Sequence, residues 1–252
     1  MRRSLLAAVA AVTLVGCQES VNDVTLDGSA ALEAANSVGA QVDPDRFFEV
    51  TITNLTSSQA LTPPVFATHT RSVSIFETGE PASFEIKEVA ENGNVDPLVM
   101  ALSGNPDVGE VVVPLNDFPP LRPGKVRRFE IQTRGEMGRI SFAAMLICTN
   151  DGFTGLNGVR LPVAVGDTKV YYSNSFDAGT EINTEDFANM VPPCPLLSGV
   201  PSSVPGTGMS DPMLAENGVV HRHGGILGIA DLIPAIHGWS DPVAKVEIRR
   251  IR

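Results

Sequence analysis

The sequence predicts an all-β fold: a single antiparallel β-sandwich with one or two short helices, preceded by a signal peptide and a flexible tether. Two observations carry the sandwich. Apolar residues alternate with a period of two in short segments from Arg46 onward, and 23 glycines and 19 prolines break the 252 residues into many turns. Successive side chains on a strand point to opposite faces, so period-two segments punctuated by Gly and Pro fit a sandwich or barrel.

The chain opens with Arg2 and Arg3, an apolar run from Leu5 to Val15, and Leu14-Val15-Gly16-Cys17. The run is shorter than the ~20 residues a permanent membrane helix needs and fits the apolar core of a signal peptide. Leu-Val-Gly-Cys matches the bacterial lipobox, a resemblance that implies cleavage after residue 16 and a lipid on Cys17. Gln18 follows rather than Asp, which in Gram-negative lipoproteins favours the outer membrane. Several acyl chains on Cys17 would hold the protein stably in a membrane, which one chain does not. Residues 18–45 carry six acids and no base among Ser, Ala, Asn and Gly, and read as a tether with at most a weak helix over Ser29 to Asn36. The expected organisation is therefore 1–16 signal peptide, 17–45 lipidated Cys17 and acidic tether, and 46–252 sandwich domain.

Within that domain Phe48, Val50 and Ile52 share one strand face, opposed by Glu49, Thr51 and Thr53. Phe84, Ile86, Val89 and Ala90 have helical spacing and meet Gly93 as a stop. Asp96-Pro97 reads as a cap followed by a first-turn proline, opening a helix through Leu102. Phe129 and Ile131 alternate again. Ile140, Phe142, Ala144 and Leu146 are opposed by Ser141, Ala143, Met145 and Ile147, so this strand is apolar on both faces and reads as central. Val170 with Tyr172, then Val246 with Ile248, mark two more strands.

Removing residues 1–16 takes away two arginines and no acid, leaving 16 basic against 29 acidic residues, a net of -13. A nucleic-acid binder needs a basic footprint, and none exists at the level of the whole chain. Cys148 and Cys194 either pair or stay as two buried thiols; neither belongs to a Cys-x-x-Cys motif. No G-x-S-x-G, H-E-x-x-H, Walker or G-x-G-x-x-G signature occurs, so the chain is not expected to be an enzyme.

Phe48 to Leu55 (FEVTITNL), Leu61-Thr-Pro-Pro-Val-Phe-Ala-Thr-His69 and Phe76-Glu-Thr-Gly-Glu-Pro-Ala-Ser83 resemble the opening of spondin domains. Val89-Ala-Glu-Asn-Gly93 matches the helix end that follows there. Phe142-Ala-Ala-Met-Leu and Thr149-Asn-Asp-Gly-Phe153 match the family's central strand and aspartate loop. Asp177-Ala-Gly-Thr-Glu181 matches its acidic loop, and Asp241-Pro-Val-Ala-Lys-Val246 its final strand. The resemblance runs in order over 46–252. It implies a β-sandwich of the kind found in extracellular adhesion proteins, with calcium held by Asp151, Asp177 and Glu181. Glu181 stands where the animal members carry Asp, and Cys148 replaces the usual proline. Calcium takes six to eight oxygens, and Asn150, Asn183 and Glu185 are further donors nearby in sequence. The rival expectation is a solvated acidic turn.

His221-Arg-His223 is the other constellation. Two imidazoles two apart on a strand could meet one metal, with His237 or His69 as a third ligand, as zinc catalysis requires. No glutamate follows in Gly224-Gly-Ile-Leu-Gly-Ile-Ala230, so these read as hydrogen-bonded structural histidines beside a glycine turn. Trp239 reads as a core or corner residue. The function expected is that of a lipid-anchored envelope protein using calcium in a surface adhesion or interaction module, facing an unknown protein or glycan. The alternatives are a periplasmic metalloenzyme using His221 and His223, or a metal-free structural envelope protein.

Overall fold

The computed structural model describes residues 45–115, 120–135 and 137–252. The signal peptide, Cys17 and all of the tether except Asp45 lie outside the described residues. Strands β1 (Arg46–Asn54), β4 (Val126–Thr133), β7 (Thr168–Ser173) and β10 (Ala244–Arg250) form one sheet in the order β4-β1-β10-β7. Strands β2 (Val65–His69), β3 (Val108–Val112), β5 (Arg139–Met145), β6 (Gly152–Arg160), β8 (Ser175–Asp177) and β9 (His221–Arg222) form a second, ordered β3-β2-β5-β6-β8-β9. Every pairing is antiparallel, and the two sheets make the all-β sandwich.

Alternation decides which face of each strand is inside. Phe48, Val50 and Ile52 are fully buried, and Val50 stands opposite Phe129 on β4 and Ile248 on β10. They meet Phe66, Phe142 and Leu146 from the other sheet in one core between the layers. The six-stranded sheet is also covered outside, by α1 (Phe84–Asn92) and α2 (Asp96–Ser103), whose Ile86, Val89, Ala90, Leu98 and Leu102 pack with Val65, Ala143 and Phe153. That double cover explains why β5, between β2 and β6, is apolar on both faces.

Helix α1 starts where Ser83 Oγ accepts the Ile86 N–H at 3.3 Å and stops at Gly93, φ +62°. A Cβ on Gly93 would sit 2.9 Å from Thr62 Cγ2, so both conformation and space demand glycine there. Asp96 is not the cap of α2. It is the first helical residue, its N–H taken at 3.3 Å by the Asn94 side chain, and Val95 precedes the helix without capping it.

Val170 and Tyr172 face outward, and β7 buries Ser173 instead. The segment from Thr168 to Asp177 forms two strands. A single residue, Asn174, separates β7 in one sheet from β8 in the other. Ser173 fastens the crossing: its hydroxyl lies 2.6 Å from Thr154 Oγ1 and donates to the Gly155 carbonyl, also at 2.6 Å. Asp241 Oδ1 then accepts the Ser175 N–H at 2.7 Å.

Candidate metal centre

The crossing places Asp177 at the end of β8, opposite Gly152 at the start of β6, so Asp151 and Asp177 become neighbours. Because β5 and β8 are both antiparallel to β6, they run the same way and deliver their following loops to one end of the sandwich. Asp151, Asp177 and Glu181 are 0%, 1% and 3% exposed, which overturns the picture of a solvated acidic turn.

Each carboxylate is held by main-chain or amide donors. Asp151 Oδ2 accepts from Thr180 N (2.7 Å), Glu181 N (3.0 Å) and Thr180 Oγ1 (3.2 Å). Asp177 accepts from Gly179 N at 2.8 Å and from Asn183 Nδ2 at 2.6 Å. Gly179 has φ +66°, and a Cβ there would lie 2.6 Å from the Val219 backbone, so this loop closes only on glycine. Glu181 Oε1 accepts the Asp211 N–H at 3.4 Å and borders a cleft of about 200 Å³ lined also by Asn189, Thr207 and Ser210.

Three oxygens tell most. Asp151 Oδ1 is buried without a hydrogen-bond partner, and so are both oxygens of Glu91, which is 5% exposed at the end of α1. Burial, with the charge of Asp177 next in importance, pushes the Asp151 carboxyl up to about 7, against the three donors that hold it. Burial and then Glu91 push Glu181 up to about 7. The ion pairs that reach this cluster, among the described residues, are Lys87 to Glu91 and His221 to Asp177, both at 3.8 Å. An excess of buried negative charge is costly unless a proton or a cation offsets it. The donor set, all hard oxygen, suits calcium. The three carboxylates, turned onto their separate amide donors, do not bring three oxygens within 4.8 Å of one another.

Glu91 escaped the sequence reading, where Val89-Ala-Glu-Asn-Gly93 served only as a helix end. Its signal was an acid one residue past two apolar helix positions. Glu185, counted among the nearby donors, is otherwise occupied: its carboxylate accepts from Leu227 N, Gly228 N and Ile229 N at 2.5, 2.6 and 2.9 Å. Asn150 likewise spends its carbonyl on Thr184 N (3.1 Å) and Glu185 N (3.3 Å).

The histidines do not assemble. His69 binds the Thr70 carbonyl (2.6 Å) and Ser141 Oγ (2.7 Å). His223 packs edge-on to half-buried Trp239 with ring centroids 5.0 Å apart, while its Nδ1 accepts the Gly225 N–H at 3.0 Å. His237 lies beside Cys148 and Cys194 instead, so neither proposed third ligand joins His221 and His223. The two cysteines are bonded as a disulfide, S–S 2.15 Å. No helix of the described residues is long and apolar enough to cross a membrane. Neither a protein-family model nor a curated protein matches this chain.

Proposed function

We propose that this chain is a lipid-anchored, spondin-like envelope protein whose domain holds calcium through Asp151, Asp177 and Glu181 and serves as a surface interaction module. The observation that carries the reading is the buried, unpartnered Asp151 Oδ1 beside Asp177 and Glu181, where negative charge gathers without matching cations. Calcium would neutralise that charge and fix the loops at this end of the sandwich, and those loops would present the binding surface. The chain has no catalytic part in this reading.

Elemental analysis of the purified protein, paired with melting in chelator and in millimolar calcium, tests it. A ligand bound only by the folded state adds about 2.7 kcal/mol at a hundredfold excess over Kd, worth roughly 5–11 °C in Tm for a domain of this size. The expected result is a chelator-reversible rise that Asp177→Asn largely abolishes. Identical melting curves with and without calcium would reject the calcium site. Stoichiometric zinc lost on changing His221 and His223 to Gln would favour the metalloenzyme.

A further inference from the structure

The opposite end of the sandwich has the opposite charge. A cleft of about 560 Å³ opens there between the two sheets, lined by Arg46, Arg71, Arg139, Arg160 and Lys169 with Leu161 and Val163. Five of the chain's 18 Lys and Arg residues thus share one concavity in a protein of net charge -11, and among the described residues no carboxylate lines it. Arg46 and Lys169 come from β1 and β7 of one sheet, Arg139 and Arg160 from β5 and β6 of the other, and Arg71 from the turn after β2. Asp151 precedes β6 and Arg160 ends it, so the two regions lie about 30 Å apart at ~3.3 Å per residue.

None of the five cations makes an ion pair among the described residues. Arg46 Nη2 donates to the Gly135 and Met137 carbonyls (2.9 and 2.8 Å), while its Nε is buried with no partner. Arg139 Nη1 donates to the Gly158 carbonyl at 2.7 Å. Asp107, which immediately precedes β3, accepts from Ser72 Oγ of the turn after β2 at 2.8 Å. His69, just behind the cleft, is held below its usual range by burial first, with Arg139 adding to the effect. Like charges gathered in a concave, partly desolvated site raise its potential and are relieved by an anion. Guanidinium forks match the tetrahedral oxygens of phosphate, and a cleft of this size admits a small molecule or a headgroup.

We infer that the Arg46, Arg71, Arg139, Arg160 and Lys169 cleft is a binding site for a phosphate-bearing ligand with at least two anionic charges, free in solution or carried on a lipid headgroup. The site is independent of the calcium reading, since it shares no residue with it.

Calorimetric titration of the full chain with inorganic phosphate and pyrophosphate, and cosedimentation with phosphatidylcholine vesicles with and without phosphatidic acid, tests the inference. Arg71→Gln with Arg160→Gln removes two exposed charges whose side chains make no hydrogen bond among the described residues. Arg128→Gln with Arg249→Gln removes two charges paired to Glu49 on another surface and serves as the control. Pyrophosphate binding that weakens about tenfold or more in the first pair and not in the control supports a free ligand. A phosphatidic-acid-dependent gain in sedimentation lost only in the first pair, without pyrophosphate binding, places the same phosphate chemistry on a lipid. No binding in either arm, or equal weakening in both variants, overturns the inference.

Discussion

The Asp151 carbonyl accepts the Ala178 N–H at 3.1 Å, one residue beyond Asp177. This main-chain bond extends the β6–β8 pairing and brings the two acidic loops together through the backbone. Their carboxylates therefore stay close even when both are charged. The fold, rather than a bound ion, imposes the proximity.

Asp151→Asn accordingly has opposite effects in the two conditions. In chelator near pH 8 it removes a buried charge and raises Tm; in calcium it forfeits a ligand and lowers Tm relative to wild type. Differential scanning calorimetry in the two buffers checks this, and a change of the same sign in both would show that Asp151 has a purely structural part.

The same group sets a pH dependence. Its folded value, about 7, lies above the ordinary 3.8, so the folded state retains a proton that the unfolded chain has released. Stability from this source is complete below the unfolded value and lost as pH rises through about 7. Burial holds His69, His223 and His237 below 6.5, and they act in the opposite sense as pH falls. The difference between wild type and Asp151→Asn cancels the histidines. In chelator, wild type should gain on the variant between about pH 8 and about pH 5. A difference that does not vary with pH would count against a raised Asp151.

Glu185→Ala strands the N–H groups of Leu227, Gly228 and Ile229. Losing bonds to a buried charge should cost roughly 2–4 kcal/mol and loosen residues 226–232. Hydrogen exchange should rise in that loop, with the calcium response retained. Unchanged exchange there would contradict the role assigned to this carboxylate.

The Cys148–Cys194 bond spans 46 residues and pins α3 (Pro193–Ser198) to the loop between β5 and β6, beside Phe187 and Met190. Replacing both by Ala should cost about 4 kcal/mol on the loop-entropy relation. Denaturant melts compared under non-reducing conditions measure it, and equal midpoints would mean the bridge adds nothing to stability.

Cys17→Ser should abolish lipid attachment, because Leu14-Val15-Gly16-Cys17 offers one acceptor. Palmitate labelling of the variant at the wild-type level would exclude the lipobox reading.

The sequence by itself determined the inner faces of β1 and β10, because alternation is a local property, but not that of β7, where Val170 and Tyr172 face outward. Phe48, Val50, Ile52, Val246 and Ile248 could be assigned to a core, and β5 to a central position, without coordinates. The stop at Gly93 was equally local, since it depends on one residue's φ. The acidic residues Asp151, Asp177 and Glu181 could be named from their motifs. Their burial could not, because it depends on the one-residue crossing at Asn174 and on loops more than 25 positions apart meeting at one sheet end. Glu91 joined them, and Glu185 turned away, for the same reason. The cationic cleft had no sequence signature at all: its lining runs from Arg46 to Lys169, and only sheet packing brings those side chains to a common opening. Periodicity is written in neighbours along the chain, whereas a site is made of neighbours in space.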